Sequence, residues 1–375
     1  MSDIDDIFFN KKPITRKERE GNMTEKKIIP KRKVPVTPTK SGIGLDVGTG
    51  NCLGASFINS KQIKFTMLRD CFFTIDKSMF AKTMFNKDQM KYVEIGNDVH
   101  IVGEDAMVLA KIQNKSAQRP LAKGIINPNE RAAAPILKEM LNFCVKEYKK
   151  KDKETLVFSV PGPLLGNENF NVEYHTLSLQ SLISSLGYDP VPLNEAYAVI
   201  ISELEKAKET TGLGFSFGAG LVNVAFVYKG MLLFEFSINK SGDFIDQEAA
   251  KACGASDSMM NHIKETQLDL SADEFMAQPE ERALIFTYKH VIKNTITNMV
   301  NIFNDKDNVN IIEPIPIVIS GGTSLPKGFI ELFTKEIESV DLPFKITEII
   351  PAKDRLSSVS KGCLIWANQI EENKK

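Results

Sequence analysis

Two stretches of the chain, 170 positions apart, carry the same glycine skeleton: Gly42, Gly44, Gly48 and Gly50 in GIGLDVGTGNCLGASF, and Gly212, Gly214, Gly218 and Gly220 in GLGFSFGAGLVNVAF. In each, apolar residues run up to a Gly-x-Gly turn and resume beyond it, which predicts a β-hairpin. A turn built of glycine lets backbone N–H groups approach a phosphate closely, because no Cβ holds the ligand away. Two such hairpins facing each other would make a clamp. The copies differ where the first has Asp46 and the second Ser216.

The repeat extends beyond the hairpins. A third strand is expected at about residues 62–68, completing a three-strand antiparallel meander. The second copy repeats it with strands at about 214–218, 222–228 and 231–236. Helices follow each meander. In the first half Asn127 and Pro128 read as an N-cap and N1 pair ahead of a helix carrying Ile136, Leu137, Met140, Leu141 and Cys144 on one face. After the strand LVFSV and the breaker Pro161-Gly162-Pro163, a second helix gathers Leu179, Leu182, Ile183 and Leu186 and ends at Gly187. The second half has a long helical pattern over about 280–303, a buried strand IPIVIS and a closing helix over about 356–370. Strands and helices mixed in this order, twice over, predict a duplicated α/β domain.

At 375 residues the chain has room for that duplication. Lys and Arg total 47 against 48 Asp and Glu, so net charge gives no argument for nucleic acid or an anionic membrane. Cys52, Cys71, Cys144, Cys253 and Cys363 are odd in number and widely spaced, indicating neither a disulfide framework nor a zinc site, and a reducing cytoplasm is the expected compartment. No apolar run reaches the length of a membrane span. His100, His175, His262 and His290 are scattered without ligand spacing. Residues 1–40 are rich in Lys, Arg and Pro and are expected to form a disordered basic tail. Its head, DIDDIFF, is either an untethered end or a docking motif for an adaptor or cargo, anchored by Ile7, Phe8 and Phe9.

Three constellations suggest chemistry. Asp46 ends a strand just before a turn of small residues, where its carboxylate can hold hydrated Mg2+ while Gly48, Thr49, Gly50 and Asn51 present N–H groups to phosphate oxygens. The same Asp would equally well cap a tight turn. Glu195, in PVPLNEAYAVIISEL, stands where a strand gives way to a helix. It can orient a water for in-line attack on a terminal phosphate, or simply complement the helix dipole. In IVISGGTSLPKGF a strand runs into Gly321, Gly322 and Thr323, which would let a base or ribose pack on main chain, with the next helix beginning near Leu325 and Pro326.

The order of these elements resembles the actin, heat-shock chaperone and sugar kinase superfamily, and is most similar to the bacterial and archaeal actin-like filament proteins. AQRPLAKGIINPNERAAAPILKEML resembles the stretch of bacterial cell-shape actins in which a proline and a glycine precede a helix; NEAYAVIISEL and VSKGCLIWA resemble their two connecting helices, and SGDFID the turn after the second meander. The resemblance covers about residues 42–370. It implies duplicated RNase H-like domains flanking a central nucleotide cleft: 41–210 as the first, completed by 353–375, and 211–352 as the second. It implies ATP with Mg2+, GTP remaining open, and head-to-tail self-assembly into filaments. Asp46 would organise the metal and Glu195 position the attacking water. Ser216, Gly218, Ala219 and Gly220 would grip phosphates, Gly242 and Asp243 at the following turn would contribute to nucleotide binding, and Gly321, Gly322 and Thr323 would receive the nucleoside. The departure is Ser216, where the family usually has an aspartate, which puts hydrolysis in question. A hydrolysis-poor or non-polymerising scaffold and a small-molecule kinase are the competing expectations.

Overall fold

The computed structural model describes residues 40–77, 90–167, 170–204, 210–305 and 313–374. The expected tail, with Ile7, Phe8 and Phe9, lies outside the described residues.

The first glycine skeleton forms strands β1 (Ile43–Val47) and β2 (Asn51–Phe57), and β3 (Ile63–Arg69) completes the meander. A small sheet follows, made of β4 (Phe72–Asp76), β5 (Tyr92–Ile95) and β6 (Asp98–Val102), then helix α1 (Glu104–Ile112) and a short hairpin of β7 (Leu121–Ala122) and β8 (Ile125–Ile126). The rest of the first half is α2 (Ala133–Val145), β9 (Glu154–Val160), α3 (Val172–Ser185), β10 (Tyr188–Asn194) and α4 (Glu195–Glu203). The second half runs β11 (Gly212–Phe217), β12 (Val222–Tyr228), β13 (Met231–Ile238), α5 (Gly242–Cys253), α6 (Asp257–Thr266), α7 (Pro279–Asp305), β14 (Ile315–Ser320), α8 (Phe329–Glu338), β15 (Ile346–Pro351) and α9 (Ser358–Asn373).

The duplication is exact at the level of topology. One sheet is ordered β3-β2-β1-β9-β10 and the other β13-β12-β11-β14-β15. Each is an antiparallel meander whose first strand pairs in parallel with a later strand, which pairs in parallel with the last. Parallel strands need crossovers, and the helices between them bury the sheet faces. In the first half α2 and α3 cover the outer face, with Ile136, Leu137, Met140, Leu141, Leu179 and Ile183 packed on Ile43, Leu45, Leu156 and Phe158. In the second, α5, α7 and α8 close a core around Phe215, Phe217, Phe226 and Phe236.

Between the sheets lie α4 and α9, which bring Ala198, Val199, Ile201, Val359, Cys363 and Ala367 against Val157 of one sheet and Ala225 and Val318 of the other. The two helices are crossed: α4 leaves the first sheet and packs on β11, whereas α9 leaves the second and packs on β1. The strand glycines make this possible. A Cβ on Gly44 would stand 2.1 Å from Ser360 O of α9, and one on Gly214 would stand 2.4 Å from Ala196 O of α4.

Two helix starts differ from expectation. Asn127 does not cap α2: its Oδ1 accepts from the Asn129 N–H in a local Asx turn, and the cap is Ala132, whose N–H reaches Glu130 Oε1. Nor does α8 begin near Leu325, because Gly322–Ser324 form a 3₁₀ turn and Gly328, at φ 79°, redirects the chain into the helix. The β4-β6-β5 sheet was not expected, although Gly96-Asn97 between β5 and β6 is a hairpin signal.

Candidate functional site

The two glycine loops have the same construction. Gly48 N–H closes the first on Asn51 O at 3.1 Å, and Gly218 N–H closes the second on Leu221 O at 3.0 Å. The loops meet face to face. A Cβ on Gly220 would come within 2.7 Å of Thr49 Oγ1, and one on Gly50 within 3.3 Å of the Ala219 methyl group. At Gly220, where Gly124 N also lies 3.2 Å from such a Cβ, only glycine fits without a shift of the neighbouring hairpin.

At this junction opens a cavity of 730 Å³, a size typical of small-molecule sites. Asp46, Gly48, Thr49, Gly50, Asn51, Glu195, Ser216, Gly218, Ala219, Gly220, Asp243, Gly321, Gly322 and Thr323 all line it. Gly242 does not. It backs the second loop, its N–H donating to Gly218 O at 3.2 Å. The same carbonyl accepts from Ser241 Oγ at 2.5 Å and Thr323 Oγ1 at 2.7 Å, so the second loop, the start of α5 and the Gly-Gly-Thr turn are fastened at one oxygen.

Two half-buried carboxyls face the junction. Asp46 ends β1 beside β9, and Ser159 Oγ donates to its Oδ1 at 2.8 Å while accepting from Val47 N–H at 2.9 Å. Glu195 opens α4, capped by Asn194, whose side chain accepts from Tyr197 N–H. Ser216 Oγ donates to Glu195 Oε1 at 2.6 Å and Asn223 Nδ2 to Oε2 at 2.8 Å. Asn223 is held in turn, its Oδ1 accepting from Gly162 N–H at 3.1 Å and Ser237 Oγ at 2.6 Å. Burial pushes the Asp46 carboxyl up to about 6, against the pull of the Ser159 hydroxyl. Burial and then repulsion from Asp46 push Glu195 up to about 8, with Ser216 pulling the other way. Among the described residues neither carboxyl is ion-paired to a Lys or Arg.

Several side chains at the site were not anticipated. Ser159 and Asn223 orient the two carboxyls. Arg119 Nη1 donates to both carboxylate oxygens of Asp243, at 3.1 and 2.9 Å. Lys264, on α6, reaches Asp246 at 2.6 Å and Gly242 O at 3.1 Å. Arg355 lines the cavity beside the Gly-Gly-Thr turn, bonded through Nη1 to Ser324 O, and its own carbonyl accepts from Gly321 N–H at 3.0 Å. Only the strand order reveals Ser159, since β9 enters the sheet next to β1 from 112 residues away.

Among solved structures, the fold is similar to that of a MamK double helical filament, with a TM-score of 0.65 at 14% identity over 87% of this chain and 98% of that one. It is similar also to MreB5 of Spiroplasma citri bound to ADP, with a TM-score of 0.63 at 17% identity over 90% and 98% of the two chains. The AMPPNP-bound form of that protein gives 0.64 at 15% identity over 90% and 99%. At these identities the likeness establishes the fold, which is the actin-like one. No curated protein matches the sequence. The family model described as Volactin matches residues 42–367, nearly the whole described chain, and the protein belongs to the Volactin family.

Proposed function

We propose that this chain binds ATP with Mg2+ in the cleft between its two sheets and assembles head to tail into filaments, hydrolysing the nucleotide slowly in a cytoskeletal, cell-shape or DNA- or cargo-positioning role. One observation carries the reading: two glycine loops of the same construction face each other at the mouth of a 730 Å³ cavity with Asp46 and Glu195 at their base. The MreB5 structures bound to ADP and AMPPNP and the MamK double helical filament lend it support. In this reading residues 41–210 with 353–375 form one lobe and 211–352 the other.

The donor set fits a divalent cation. Two half-buried carboxyls repel each other without a cationic side chain paired to either among the described residues, and among those residues no cluster of three or more His, Cys, Asp or Glu could hold a metal without help from a ligand. Mg2+ in such a place takes most of its oxygens from water and phosphate, with Asp46 as its protein anchor. Bound there, the ion would neutralise charge on the phosphates. Glu195, aligned by Ser216 and Asn223, would orient a water and accept its proton. Gly48–Asn51 and Gly218–Gly220 hold the phosphates, and Gly321–Thr323 with Arg355 flank the nucleoside.

A second reading, a nucleotide-dependent scaffold with little turnover, is favoured by the Glu195 bonds themselves. Both of its oxygens are engaged and its carboxyl is held largely protonated at neutral pH, a poor state for a general base. Pelleting and phosphate release, measured on one sample with Mg2+ and ATP, separate the two. Assembly with release that is lost in Glu195→Ala supports the ATPase filament. Assembly with equally negligible release from both proteins supports the scaffold. Absence of pelleting across a wide concentration range defeats the filament reading.

A further inference from the structure

Arg119 lies between α1 and β7, and its side chain crosses from the first half to Asp243 at the start of α5 in the second. Its backbone is fixed. Gln118 exchanges N–H and C=O bonds with Phe72 at 2.8 and 2.9 Å, and Arg119 O accepts from Asn127 Nδ2 at 3.2 Å.

A second carboxyl is tied to the hairpin that follows Arg119. Asp70 is wholly buried; Oδ2 accepts from Leu121 N–H at 3.2 Å, and Oδ1 has no hydrogen-bond partner among the described residues. Burial holds this carboxyl well above the usual range, with the Leu121 N–H and the Arg119 charge acting against it. The two acids are attached to different loops by their own main chain. Asp70 N–H donates to Gly50 O at 3.0 Å, and Asp243 N–H donates to Ala219 O at 2.7 Å. The β7–β8 hairpin that follows Arg119 touches the first loop as well, through Gly124 N–H to Thr49 Oγ1 at 3.0 Å.

We propose that Arg119 is a positioning residue that sets the spacing of the two glycine loops: paired with Asp243 across the cleft it holds them together, so that breaking the pair speeds nucleotide release. This rests on the nucleotide reading above. The pair is half-exposed, so its weight falls on the balance between open and closed forms rather than on folding. The whole contact runs through one guanidinium nitrogen, Nη1, so a lysine ammonium can replace it in part.

The test uses the full chain and a fluorescent ATP analogue with Mg2+. Arg119→Ala and Asp243→Asn should each speed its release on the order of three- to fivefold. The double variant should be no faster than either single one, because both remove one contact. Arg119→Lys, which keeps the charge, should fall between wild type and Arg119→Ala. Amide exchange in the nucleotide-free chain gives the independent readout. Arg119→Ala should speed exchange at Asp243 and Gly124 while its melting temperature stays within a few degrees of wild type. Wild-type release rates in both Arg119→Ala and Asp243→Asn, or additive effects in the double variant, would overturn the proposal. Unchanged amide exchange would do the same. If wild type fails to bind the analogue, the nucleotide reading falls, while amide exchange still decides whether Arg119 ties the loops.

Discussion

The two glycine hairpins share register, loop length and closing hydrogen bond, yet they treat charge in opposite ways. In the first, the hairpin carries the carboxyl and a neighbouring strand supplies the serine, Ser159 to Asp46. In the second, the hairpin carries the serine and the helix α4 supplies the carboxyl, Ser216 to Glu195. Each hairpin therefore meets one half-buried acid held by a hydroxyl, but both acids, on β1 and α4, come from the first half of the chain. A carboxylate at position 216 would lie within hydrogen-bond distance of Glu195, and two like charges so close in a buried site cannot both stay ionised. Serine there turns a repulsion into a bond. The difference concentrates metal chemistry on the first hairpin and leaves the second to hold phosphate and to align Glu195.

The largest break in this comparison comes from removing the aligned acid. Glu195→Gln should lower any phosphate release by about 100-fold or more, the lower end of what a positioned acid–base group contributes, while binding of Mg2+·ATP stays within about twofold. The same variant has a pH signature. Glu195 titrates from its ordinary value of 4.5 in the unfolded chain to about 8 in the fold, so it takes up a proton on folding. Stability contributed by that proton is complete below 4.5 and lost progressively as pH rises toward 8. Thermal melts from pH 5 to 9 should show wild type losing ground to Glu195→Gln over that window in the absence of nucleotide.

Asp46→Asn follows in size. It removes the metal anchor but keeps a group able to accept from Ser159, so the fold should persist. Affinity for Mg2+·ATP should weaken by about 10- to 100-fold, the equivalent of roughly 1.5–3 kcal/mol for a lost bond to a charged group. Titration with and without EDTA checks this: the wild-type and variant affinities should converge once Mg2+ is removed.

Much of this comparison was legible in the sequence, because glycine spacing is a local property and strands on either side of a Gly-x-Gly turn must pair. The meanders, Glu195 at a strand–helix junction and the Gly321–Thr323 turn all follow from patterns within about 15 residues. What failed to show was non-local. Ser159 reaches Asp46, and Arg119 reaches Asp243, only because sheet order and the crossing of the cleft bring them together. Ser216 was legible as a missing charge but not as the donor to Glu195, 21 residues earlier. Asn127 was misread because an Asn before Pro signals a helix start and an Asx turn equally well.

Making the hairpins alike tests what the serine does. Ser216→Asp restores a carboxylate to the second loop but sets it against Glu195, so the nucleotide-free protein should melt several degrees lower, with the loss reduced when Mg2+·ATP is present. Ser216→Ala is the control. It strips Glu195 of one donor while Asn223 keeps the other, and should cost about 1–3 kcal/mol, less if the carboxyl stays protonated.

The smallest effects separate the two loops by contact alone. Neither Gly50 nor Gly220 sits in the left-handed region, so alanine at either is judged by space and not by backbone strain. At Gly220 the new methyl would lie 2.7 Å from Thr49 Oγ1 and 3.2 Å from Gly124 N. One neighbour is main chain of the β7–β8 hairpin, so the halves must separate slightly, and nucleotide affinity should fall about fivefold for a cost near 1 kcal/mol. At Gly50 the methyl would meet only the Ala219 methyl, at 3.3 Å, and a shift of a few tenths of an ångström relieves it. Gly50→Ala should therefore change affinity by less than about twofold. If Gly50→Ala instead proves the more damaging, phosphate must come so near Gly50 that a methyl displaces it, and the first loop, not the contact between the loops, limits binding.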